Sequence, residues 1–92
     1  MLSTHMDSRV FKMVESFVLV RVGTSEAMNL TKTIREVLTK TKGVKDVYGV
    51  FGRWDFLIKV ETKTLEELGK LVTDCIRGIN GVVSTETLII GF

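Results

Sequence analysis

Ninety-two residues, 45% of them hydrophobic and 26% charged, make one globular domain with a single modest core and leave no room for a second. A formal net charge of +2, spread over dispersed Lys and Arg, is too small to mark a nucleic-acid or membrane surface. One cysteine excludes a disulfide framework, and the lack of a signal-peptide pattern or a long apolar run leads us to expect a cytoplasmic protein.

Residues 1–14 have no clear period and read as an N-terminal tail ahead of a domain at 15–92. Glu15 to Val22 (ESFVLVRV) is β-rich and apolar on both faces, with Phe17 and Leu19 on one and Val18, Val20 and Val22 on the other. Two-sided burial predicts a central strand. Gly23 ends it, and Thr24 or Ser25 can cap a helix that has Glu26 in its first turn. The helix is predicted over about 25–41, with Ala27, Leu30, Ile34, Val37 and Leu38 as its buried stripe. Gly43 stops it.

Val44 to Glu61 (VKDVYGVFGRWDFLIKVE) reads as two strands joined at Gly52-Arg53, where a leading Gly suits a two-residue II′ turn. Counting outward pairs Phe51 with Trp54, Gly49 with Phe56 and Val47 with Ile58 on an apolar, core-seeking face. The other face pairs Val50 with Asp55, Tyr48 with Leu57 and Asp46 with Lys59. A second helix follows, with Thr64 and Glu67 as a capping box and a stripe of Leu65, Leu68, Val72, Cys75, Ile76 and Ile79. Gly69 inside that helix predicts close approach by another backbone. Gly78 and Gly81 close it, and a last strand runs from Val82 to Ile90.

The order is β-α-β-β-α-β, with an internal echo in which Gly43-Val44 and Gly81-Val82 each follow a helix and open a strand. Two right-handed βαβ halves give an α+β, ferredoxin-like sandwich: a four-stranded antiparallel sheet in order 4-1-3-2 with two helices on one face. The open face would carry Tyr48, Leu57, Phe17 and Leu19, and is too apolar to stay bare.

Catalytic constellations are absent from this pattern. The single His lies in the tail, so neither a His-based triad nor a metal set can form in the folded part, and no cofactor is expected. Gly49-Val50-Phe51-Gly52 precedes a strand rather than a helix, so it does not make a phosphate cradle. Cys75 reads as a packed core thiol, and Trp54 as filler or a ligand-stacking ring. Asp55 is open between a carboxylate tied to backbone at the turn and one that meets an ammonium group. Thr85 and Thr87 share one face of the last strand, where β-branched residues are at home.

Gly43-Val44-x-x-Val47-Tyr48-x-Val50-x-Gly52-x-Trp54-Asp55, with Gly81-Val82-x-x-Thr85-x-Thr87-x-Ile89 at the end, resembles the effector-binding (RAM) module of the Lrp/AsnC transcription regulators. The resemblance runs from about residue 16 to 90. It implies an amino-acid effector, dimers formed through the sheets, and dimers assembled into octameric or decameric rings. Gly52, Arg53, Trp54 and Asp55 then become ligand-site positions, with Thr85 and Thr87 adding hydroxyls. A zwitterion needs a carboxylate for its ammonium, which Asp55 offers, and donors for its carboxylate, from Arg53 or turn N–H groups. Trp54 stands where the family more often has Tyr. No helix-turn-helix precedes the first strand, so the resemblance is to stand-alone members. It implies no DNA or membrane binding by this chain itself, and co-assembly with full-length regulators as an alternative to independent sensing. Two readings on the same element order stay open: a small dimeric α+β barrel enzyme and an ACT-like amino-acid-binding domain.

Overall fold

Alternation along the first strand decides the layering. In β1 (Val14–Val22), Ser16, Val18, Val20 and Val22 are buried on one face, while Phe17 and Leu19 are half-buried on the other. A computed structural model describes residues 13–23 and 27–91, with only the backbone of residues 27–30. Residues 1–12 of the expected tail and the capping residues Thr24, Ser25 and Glu26 lie outside the described residues, as do the side chains of Ala27 and Leu30, while Val14, expected to end the tail, instead opens β1. The remaining elements are α1 (Ala27–Lys40), β2 (Val44–Gly49), β3 (Phe56–Thr62), α2 (Leu65–Lys70), a π-helical continuation of α2 (Leu71–Ile76), and β4 (Val82–Ile89). The sheet is antiparallel in order β2-β3-β1-β4, the expected 4-1-3-2 read from the other edge, with β1 inside it. This is the ferredoxin-like sandwich.

Both helices cover one face. Val18, Val20, Phe56, Ile58 and Val60 of the sheet meet Ile34 and Leu38 of α1, and Leu68, Leu71 and Ile76 of the second helix, in one core. Val37, expected on the α1 stripe, is exposed, while Ile34 and Leu38 are the α1 residues buried against the sheet among those described. The open face carries Phe17, Leu19, Leu57 and Tyr48 as expected, and Leu88 of β4, the Cα partner of Phe17, joins them. Asp46 does stand opposite Lys59, but the lysine reaches along the sheet, with Nζ 6.0 Å from the centre of the Phe17 ring.

The internal echo extends to the hydrogen bonds. Thr41 N donates to Leu38 O and Val44 N to Thr41 O; 38 residues later Ile79 N donates to Ile76 O and Val82 N to Ile79 O, all at 3.1 Å. Gly43 and Gly81 leave these turns with φ of 98° and 104°, which a side chain would resist.

The second helix departs from its expected stripe. Thr64 caps it, its Oγ1 accepting from Glu67 N at 3.0 Å, while Glu67 Oε1 reaches back to Lys63 N, one residue before the cap. An α-helix carried through to Ile76 would centre Cys75 on the apolar stripe. The wider i→i+5 turns of the π segment turn the chain less per residue. Ile76 stays buried as expected, Leu71 becomes core, and Cys75 is exposed, correcting its reading as a packed thiol. Leu65, in the first turn, is also exposed.

Gly69 has no close neighbour: a Cβ added there would meet nothing within 4 Å, which corrects the expected backbone approach. Gly69→Ala should therefore stabilise the chain by about 0.5–1 kcal/mol, since Ala restricts the unfolded chain and suits a helix interior. A thermal melt checks it; a lower melting point would place a partner surface at this position. Ser16 supplies a second such test. It is wholly buried and its Oγ has no hydrogen-bond partner among the described residues. Ser16→Ala removes a hydroxyl that lost water without replacement, and should raise stability by about 1 kcal/mol in urea titration.

Candidate functional site: the Val50–Asp55 loop

The hairpin register follows the outward count. Gly49 faces Phe56, Tyr48 faces Leu57, Val47 faces Ile58 and Asp46 faces Lys59. At the far end Val44 faces Val60, so Lys45 is an extra residue that bulges from the ladder. At the near end the strands stop at Gly49 and Phe56, and residues 50–55 connect them. The expected two-residue turn is thus replaced by a wider loop. Gly52 still has a positive φ, 135°, in open space. Phe51 and Trp54 are not a ladder pair: Phe51 is fully exposed, a correction to its core-facing assignment, and Trp54 is half-buried.

Asp55 explains the widening. Its carbonyl still accepts from Val50 N at 2.9 Å, but its N–H donates to Val20 O at 2.8 Å, tying the loop to the central strand. Oδ2 then accepts from Val22 N at 2.7 Å. The β1–β3 register ends at Val20 and Phe56, so the N–H of Val22 has no strand residue opposite and takes the carboxylate instead. Three backbone bonds thus fix Asp55, and among the described residues none reaches Oδ1.

Two arginines belong to this end of the hairpin. Arg53 is exposed two residues away. Arg35, on α1, lies across Gly49: its Nη1 is 3.6 Å from where a Cβ would sit, so the missing side chain makes the seat for the guanidinium. Sequence reading missed Arg35, although its exposed position on a helix that packs on β2 was the available signal.

Thr85 and Thr87 lie elsewhere. They are the Cα partners of Val20 and Val18, on the helix-covered face of β4. β1 separates them from Asp55, so Thr85 is about 10 Å from the loop backbone, two strand spacings, and Thr87 is further along. Within one chain, Gly52 to Asp55 come together and the two threonines do not join them. An open groove of about 460 Å³ lies at the opposite end of β3, beside Gly43 and Thr62, and is no part of this loop.

Against this geometry the family model of the Lrp/AsnC ligand-binding domain matches residues 15–90. The chain belongs to the Lrp/AsnC family. An uncharacterised HTH-type transcriptional regulator from Pyrococcus furiosus is 38% identical over 74 residues, 80% of this chain and 49% of that protein. The chain thus spans about half the length of the curated regulators it matches. The crystal structure of TTHA0845 from Thermus thermophilus superposes with a TM-score of 0.78 at 34% identity, covering 87% of this chain and 95% of that one. A homocitrate synthase from Sulfurisphaera tokodaii is 32% identical over 77 residues, 84% of this chain but 16% of the enzyme. The Lrp/AsnC domain therefore recurs as part of larger proteins of more than one kind.

Proposed function

We propose that this Lrp/AsnC domain is a regulatory module that binds an amino acid at the Val50–Asp55 loop and does no catalysis of its own. The observation that carries the reading is Asp55, whose backbone is held by two hydrogen bonds and whose carboxylate is held by one, from Val22 N to Oδ2, with Oδ1 left for a donor. An ammonium is the natural partner for such an oxygen, and a pre-positioned acceptor loses little entropy when it binds. Arg53 in the loop and Arg35 beside Gly49 are the donors for the ligand carboxylate. The flexible backbone of Gly52 admits close approach, and Trp54 offers a wall for an apolar side chain.

The site is completed between copies. Thr85 and Thr87 are too far from Asp55 to meet the same small ligand within one chain, so their hydroxyls serve a site only when another copy brings them to it. The open sheet face supports assembly: Tyr48 and Leu88 are about half exposed there, beside Phe17, Leu19 and Leu57. Light scattering at micromolar concentration should give a dimer or a ring of dimers, an octamer or decamer. A lone 10.3 kDa species would overturn assembly through that face. Co-assembly with full-length regulators of the family uses the same surfaces. Similarity to a segment of a homocitrate synthase also fits a module that regulates whatever it is joined to. Calorimetric titration with a panel of amino acids tests the reading; absence of binding at millimolar concentration would leave a purely structural assembly unit.

A further inference from the structure

The groove at the far end of the sheet lies about 20 Å from the Asp55 loop, the length of β3. Its volume of about 460 Å³ falls within the range of small-molecule sites. The floor is apolar, built from Leu71 with Met13 at its rim, and from the bare backbone of Gly43, where an added Cβ would come within 3.2 Å of Leu71 Cδ2. The exposed face of the π segment forms one wall and brings Cys75 into the lining.

Four lysines are among the residues that line the groove. Lys42 and Lys45 flank Gly43, and Lys45 is the bulged residue of β2. Lys63 follows β3 and Lys70 closes α2. The lining also carries three carboxylates, Glu61, Glu67 and Asp74, of which Glu67 accepts from Lys63 N, so the lysines exceed them by one. Among the described residues none of the four lysines is held in a salt bridge. The lysines lie far apart in sequence yet line one depression, with Lys45 placed there by the bulge. A bulge and a π segment are both devices that re-aim side chains at sites.

We propose that this groove binds a small organic dianion with an apolar body, of the dicarboxylate class. Each carboxylate end meets a lysine pair, one beside Gly43 and one from the β3 end and α2, while the methylene body covers Leu71. A zwitterion fits less well, since cations outnumber carboxylates in the lining. The site is separate from the amino-acid site above, and either assignment can fail without the other.

Adipate, a six-carbon dicarboxylate, is the probe. Calorimetric titration into the full chain should show saturable binding at or below about 1 mM, with inorganic phosphate much weaker at equal ionic strength. The double variant K45E/K70E, both positions exposed, should weaken adipate binding by about tenfold or more. Cys75, the only cysteine in the chain, reports on the groove directly. The ratio of its alkylation rate by anionic iodoacetate to that by neutral iodoacetamide should exceed the ratio for free cysteine, and adipate should slow both reactions. No adipate binding at about 10 mM, or phosphate binding as well as adipate, would overturn the proposal. Cys75 alkylation unmoved by adipate would overturn it equally.

Discussion

Replacing Asp55 by Asn should leave the melting temperature nearly unchanged and weaken amino-acid binding about ten- to a hundredfold. The two effects separate because the carboxylate has two separate tasks. Oδ2 accepts from Val22 N, and an amide oxygen can do the same. Pairing with an ammonium at Oδ1 depends on the negative charge, which Asn lacks. Asp55→Ala removes both. It leaves Val22 N–H without its acceptor and should cost about 1–3 kcal/mol of stability along with the binding. Titrations and urea melts on the wild type and both variants check this. If Asn binds as well as Asp, the carboxylate serves only to end the β1–β3 ladder.

Phe56→Ala should produce the largest loss of stability, about 3–5 kcal/mol. Phe56 is the largest of the fully buried side chains, sits opposite Gly49 and next to Val20 in the sheet, and faces the helices. A domain of this size has about 5–15 kcal/mol in all, so the variant would lose a large share of its stability. Phe56→Leu, which keeps most of the volume, should lose far less. Chemical denaturation measures both; a cost below about 1 kcal/mol for the Ala variant would mean that the core closes over the gap. Because Phe56 directly follows Asp55, loosening it should also blur the ligand site.

These two neighbours show what the chain discloses before it is folded. Phe56 was legible: alternation and the outward count placed it in the core opposite Gly49, and both hold. The same count failed two steps nearer the turn, at Phe51 and Trp54. There the deciding contacts come from Val20 and Val22, 33 or more residues earlier, and no local pattern contains them. The central position of β1 was in the sequence, so the strand adjacency was readable, but the capture of a β1 N–H by a side chain was not. Cys75 misled for another reason. Apolar spacing assumes about 100° per residue, and the π segment breaks that assumption midway along a helix whose residues look ordinary. The lysines of the far groove are scattered over 42–70, so nothing in their spacing marks them as a group.

The central claim is that Asp55 holds the ammonium of an amino acid at the Val50–Asp55 loop. The most direct test is a crystal structure of the protein saturated with whichever amino acid binds it best in titration. The ligand nitrogen is predicted within about 3 Å of Asp55 Oδ1, with its carboxylate toward Arg53 or Arg35 and a threonine of another copy within reach. A ligand seated away from Asp55, or one whose ammonium is met only by backbone carbonyls, would contradict it.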